Sequence, residues 1–94
     1  MIWNNCRLTV LYYDEPAQEM SCVVKFTDAG IMVEYEDDGV VQYTGGKKGD
    51  GHFELLAPAV HGRATLHMFP ESTRLEGGWI EDGERGMWRI DLAE

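Results

Sequence analysis

Apolar and polar residues alternate with a period of two along almost the whole chain, and no segment carries apolar residues at i, i+3, i+4 and i+7 over three turns. That pattern predicts strands and no long helix. The strands run approximately over residues 2–13, 19–27, 31–36, 40–45, 52–57, 63–69, 74–81 and 85–92. Between them stand DEPAQ, DAG, DDG, GGKKGDG, PAVHG, PEST and DGE, each rich in the residues that turns require. The chain is therefore expected to be all-β: one small domain, residues 1–94, built as an antiparallel meander of about eight short strands. It should close as a barrel, a flattened barrel or a sandwich.

Turn length predicts which residues face each other. A two-residue type I′ turn at Asp82-Gly83 sets Trp79 opposite Gly86, Trp88 opposite Gly77 and Leu75 opposite Ile90. Each indole then faces a glycine, with bare backbone for the ring to lie over. The loop PEST pairs Leu66 with Gly77 and Met68 with Leu75. A loop from Ala59 to Gly62 pairs Phe53 with Met68 and Leu55 with Leu66, and GGKKGDG as a connection pairs Tyr43 with Phe53. A three-residue Asp37-Asp38-Gly39 loop, Gly39 left-handed, pairs Tyr35 with Val41 and Val33 with Tyr43. Every hairpin keeps its apolar residues on one face. The expected core is Val24, Phe26, Ile31, Val33, Tyr35, Val41, Tyr43, Phe53, Leu55, Ala64, Leu66, Met68, Leu75, Trp79, Trp88, Ile90 and Leu92. The first strand adds Leu8, Val10 and Tyr12 or the opposite set.

Eight short antiparallel strands with Gly77-Gly78-Trp79 and Gly86-Met87-Trp88 resemble a reduced calycin-type barrel, the group of lipocalins, avidins and fatty-acid-binding proteins. The resemblance covers the C-terminal third by motif and the rest by strand count. The chain departs from the pattern at its first strand, where Trp3 is followed by Asn4. The resemblance implies a small-molecule cavity inside the barrel. Here the walls of such a cavity would be Tyr35, Tyr43, Phe53, Trp79 and Trp88.

Composition narrows the partners. A formal charge of −9 repels nucleic acid and anionic membranes, leaving a basic protein, a cation or no partner at all. No stretch approaches the ~20 apolar residues of a membrane helix, and the start MIWNNCRLTVLYYDEP lacks the features of a signal peptide. The expectation is a cytoplasmic protein. If the first hairpin turns around Pro16, Cys6 and Cys22 are offset by roughly 13 Å along the strands, too far for a disulfide, and remain partly buried thiols.

Candidate chemistry lies outside the core face. The registers set Glu34, Gln42, Glu54, His67, Glu76 and Arg89 in one transverse polar row, readable as a solvated outer face with alternating charges or as the wall of a polar cavity. Connections after alternate strands share one rim, and there Asp14, Glu15, Asp37, Asp38, Asp82 and Glu84 gather with Glu36 and Glu81. An acidic rim suits a divalent cation or a basic partner, or reflects only that Asp and Glu are common turn residues. GGKKGDG joins two strands, so it lacks the helix N-terminus of a phosphate-binding loop. His52, His61 and His67 have no zinc-site spacing, and no nucleophile, base and acid fall together, so no metal, cofactor or enzymatic role is expected. Met32, Val40, Leu56, Phe69, Ile80 and Met87 are apolar on the outer face and suggest a homodimer through the barrel wall. Two functions follow from these features. One is a non-enzymatic barrel holding a small apolar or amphipathic ligand or a peptide; the other is an acidic interaction module, an inhibitor or adaptor, that meets a basic protein through its rim.

Overall fold

Strand-forming alternation bounded by Gly, Pro and Asp turns yields eight strands in the computed structural model, which describes residues 1–94. They are β1 Ile2–Leu11, β2 Gln18–Thr27, β3 Gly30–Glu36, β4 Val40–Gly49, β5 His52–Ala57, β6 Gly62–His67, β7 Arg74–Glu81 and β8 Glu84–Asp91. Each pairs antiparallel with the next, and β8 pairs with β1. The meander is thereby a closed barrel, 32 × 23 × 23 Å, with no free sheet edge. This is the closed eight-stranded architecture that the calycin resemblance implies. A turn of 3-10 helix, Pro58–Val60, is the only helical element, and no helix is long and apolar enough to cross a membrane.

Closing eight strands leaves an interior just wide enough for side chains to fill. Every residue expected in the core lies there: fourteen are buried, and Phe26, Met68 and Leu92 pack against them half-buried. β1 contributes Cys6, Leu8 and Val10, with Tyr12 packed over its end, which selects the even-numbered face of that strand. Asp82 and Gly83 both have positive φ, 50° and 85°, as a type I′ turn demands. The pairs Leu75–Ile90, Gly77–Trp88 and Trp79–Gly86 accordingly stand as expected, as do Val33–Tyr43 and Tyr35–Val41 across β3 and β4. The β6–β7 register likewise follows the four-residue PEST loop, with Ala64 opposite Trp79 and His67 opposite Glu76.

Three registers differ from the sequence reading, each because a turn is built differently. GGKKG is strand rather than loop: β4 continues to Gly49, with an irregularity at Lys47–Gly49, and Gly51 at φ 67° makes a tight turn with Asp50. Lys47, not Tyr43, therefore faces Phe53. Between β5 and β6, His61 closes the Pro58 turn in the left-handed region at φ 49°, its amide donating to the Pro58 carbonyl at 3.2 Å. The ladder ends at Ala57–Gly62, and Phe53 faces Leu66. The first hairpin centres near Asp14 rather than Pro16, with Val10 opposite Gln18. All these displacements are even-numbered on the core positions, so the same side chains still face inward.

The displacement of the first hairpin overturns the expected separation of the thiols. Cys6 and Cys22 are directly opposed partners, both free and both fully buried rather than partly so. Burial, reinforced by the neighbouring Cys6, pushes the Cys22 thiol up to about 12.

A candidate binding site at the acidic mouth

The inward alternation on β7 runs Leu75, Gly77, Trp79 and ends on Glu81. A carboxylate is thereby delivered into the barrel mouth at the end of an apolar strand face. Two core tyrosines receive it. Tyr43 donates its hydroxyl to Glu81 Oε1 at 2.7 Å, and Tyr35 donates to the same oxygen at 3.4 Å. Tyr43 reaches that point only because Gly62 has no side chain: a Cβ there would collide with the Tyr43 hydroxyl. Gly62 was expected merely to end a loop, and its role depends on a ring arriving from two strands away.

Aromatic rings line the mouth around this carboxylate. Trp88 stands edge-on to Tyr43 and Tyr35, with centroids at 4.8 and 6.0 Å, and Tyr12 is edge-on to Trp79 at 5.8 Å. The Trp79 indole N–H donates to the Met87 carbonyl at 3.3 Å, which holds its ring against β8. Val10, Tyr12, Tyr35, Trp79, Trp88 and Glu81 bound a space of about 30 Å³. Of the five aromatics expected to form a ligand site, Tyr35, Tyr43, Trp79 and Trp88 thus come together. Phe53 instead packs on Phe26 at 5.9 Å, near the other end of the barrel, where β5 begins.

The acids gather as the meander requires. The connections after β1, β3, β5 and β7 open on this end and carry Asp14, Glu15, Asp37, Asp38 and Asp82, with Glu84 at the start of β8, all exposed. Asp82 pairs with His61, Nδ1 to Oδ1 at 2.9 Å; the other five are in no ion pair. Their field is felt at the mouth. Burial raises the Tyr12 hydroxyl above its ordinary pKa, and Glu15, Asp37, Glu84 and Glu81 push the same way. Tyr35 and Tyr43 are raised too, first by burial and then by Glu81. Carboxylates and aromatic rings thus bound one space at the mouth, and no cation of the chain pairs with Glu81.

The polar row is broken by the altered registers. Gln42 donates to Glu34 at 3.1 Å, and His67, Glu76 and Arg89 are successive neighbours. Glu54, however, faces Gly46 and Thr65, so it joins neither Gln42 nor His67. His67 instead meets His52, their Nδ1 atoms 2.9 Å apart. Core residues occupy the opposite side of these strands, so the row lies outside the barrel and walls no cavity. The outer apolar residues are dispersed as well. Phe69 follows the end of β6 and Val40 begins β4, at opposite rims, while Met32, Leu56 and Ile80 share a row interrupted by Thr44 and Arg63.

The chain matches no family model, no curated protein and no solved structure.

Proposed function

We propose that this barrel is a non-enzymatic interaction module that takes a cationic side chain of a partner protein at its acidic mouth. The observation that carries the reading is Glu81, a carboxylate turned into the barrel between two tyrosine hydroxyls and beside Trp79 and Trp88. The unpaired acids of the rim would draw a basic surface in and orient it, while ring faces and Glu81 receive one positive group. The size of the space supports a charged tip over an apolar ligand, since about 30 Å³ is close to the volume of one water. A lipocalin-like ligand held in the interior would need several hundred Å³ and hence an opened core.

Titration with penta-lysine, followed by tryptophan fluorescence at low and high salt, tests the proposal. Saturable binding that weakens with salt and falls about tenfold in Glu81→Gln is the expected result. Binding indifferent to Glu81→Gln would overturn it. Saturable binding of uncharged apolar ligands, insensitive to salt, would favour the interior instead.

A further inference from the structure

At the end of the barrel opposite the mouth, two histidines come together on the outer wall. The ladder sets His52 of β5 directly opposite His67 of β6, and both lie on strand faces turned away from the core. Their Nδ1 atoms are 2.9 Å apart and their ring centroids 4.4 Å. The backbone beside them is fixed. The Met68 amide donates to the Gly51 carbonyl at 2.8 Å, and Gly51, at φ 67°, lies so close that a Cβ would strike the Met68 carbonyl. On the β4 side His52 faces Gly49, which has no side chain to cover the pair. A space of about 340 Å³ opens beside the two rings, bounded by Asp50, Gly51, Met68, Phe69 and Pro70.

A hydrogen bond between two imidazoles requires that one Nδ1 carry a proton and the other not, and at an open site water would serve either ring as well. The two distances match something stricter. Two imidazole nitrogens bound at about 2.0 Å and about 90° to a single ion stand about 2.9 Å apart, with ring centres about 4.5 Å apart. A tetrahedral angle would require about 3.3 Å and about 5.2 Å. The rings therefore already hold the spacing of neighbouring ligands on a square-planar or tetragonal ion. We propose that His52 and His67 chelate such a divalent cation, Cu(II) in preference to Zn(II), through their Nδ1 atoms. Imidazole suits Cu(II), whose affinity for nitrogen sites generally exceeds that of Zn(II). On binding, the proton on one Nδ1 moves to the Nε2 of the same ring, so that both rings ligate as neutral imidazole. No third His, Cys, Asp or Glu completes a metal cluster, so water fills the remaining positions. Glu76, between His67 and Arg89 and in no ion pair, favours the cation, as does the net charge of −9.

The probes are copper(II) sulfate and, separately, zinc sulfate, titrated into the whole chain and followed by isothermal calorimetry and by proton NMR of the imidazoles, with melting recorded for each variant. One equivalent of Cu(II) should bind, about tenfold more tightly than Zn(II), and should broaden the His52 and His67 resonances before that of His61. His61, paired with Asp82 at the mouth, is the internal control. His52→Asn and His67→Asn should each weaken Cu(II) binding by about tenfold or more, whereas His61→Asn should leave it unchanged. The imidazole broadening is read on the unaltered chain, so it decides the matter should either variant fold poorly. Absence of Cu(II) binding, broadening of His61 ahead of the pair, tighter binding of Zn(II), or full affinity in both variants would overturn the proposal. So would a dimer in sedimentation that holds one ion per two chains, because the ion would then bridge copies instead of sitting on one pair.

Discussion

Gly77 and Gly78 are adjacent in the chain but face opposite sides of the barrel wall, so the same substitution meets different neighbours at each. A side chain on Gly77 would strike the Thr65 carbonyl of β6. The strand backbones approach there, and that contact, rather than the indole of Trp88, excludes larger residues. At Gly86 the indole does matter: a Cβ would lie 2.7 Å from Trp79 Cζ2 and would also strike the Leu11 carbonyl. Gly77→Val should therefore destabilise the domain by more than ~1 kcal/mol, as overpacking does, whereas Gly78→Val should leave the urea midpoint unchanged or raise it. Equal losses at both positions would contradict the assigned faces. Glu81 was readable from the same alternation, since it continues the inward series Leu75, Gly77, Trp79. The hydroxyls that receive it were not, because Tyr35 and Tyr43 arrive from strands remote in sequence.

The first hairpin, β1 with β2, shows how one turn resets the chemistry of a whole element. Alternation alone places Cys22 on the inward face with Val24, but whether Cys6 meets it depends on the length of the connection. With Tyr12 packed edge-on against Trp79 rather than paired in the ladder, β1 ends at Leu11 and the two cysteines come into register. Both thiols should be inert in the native protein, because only the thiolate reacts, burial hides both groups, and the Cys22 thiol is pushed up to about 12. A colorimetric disulfide reagent at pH 8 should react with neither until denaturant is added, and then with both. Rapid reaction of native protein would mean that the β1–β2 pairing opens easily. The β4–β5 hairpin teaches the same lesson: GGKKG reads as loop by composition, yet Gly45 lets β4 pass close against the Glu54 carbonyl and continue as strand.

Across the whole molecule, charge and burial together set the response to pH. Tyr12, Tyr35 and Tyr43 are all raised above 10.0, the value they regain on unfolding, with burial the first cause in each case. The folded state then holds these protons where the unfolded chain has lost them. Their contribution to stability is fully present below pH ~10 and is lost as pH rises from there towards the folded values. Urea midpoints should be flat on this account up to about pH 9 and fall above it, with tyrosinate absorbance appearing together with unfolding. Tyr43→Phe should shallow that decline, since it removes the hydroxyl that donates to Glu81. A decline of equal slope in Tyr43→Phe would show that this tyrosine does not contribute.

From the sequence, period-two alternation determined the all-β class, the number of strands and the inward set of side chains, because a side chain's face follows from local parity and survives any even displacement of register. The Asp82-Gly83 turn determined the β7–β8 pairing for a similarly local reason: two positive-φ positions admit essentially one hairpin geometry. Tertiary structure decided what depends on contacts between distant strands. It closed β8 onto β1, opposed Cys6 to Cys22, removed Glu54 from the polar row, and brought Tyr35 and Tyr43 to Glu81 over the gap left by Gly62. Those outcomes turn on the exact length of each connection and on the room each side chain leaves for its neighbours, and neither quantity is present in the local pattern of apolar and polar residues.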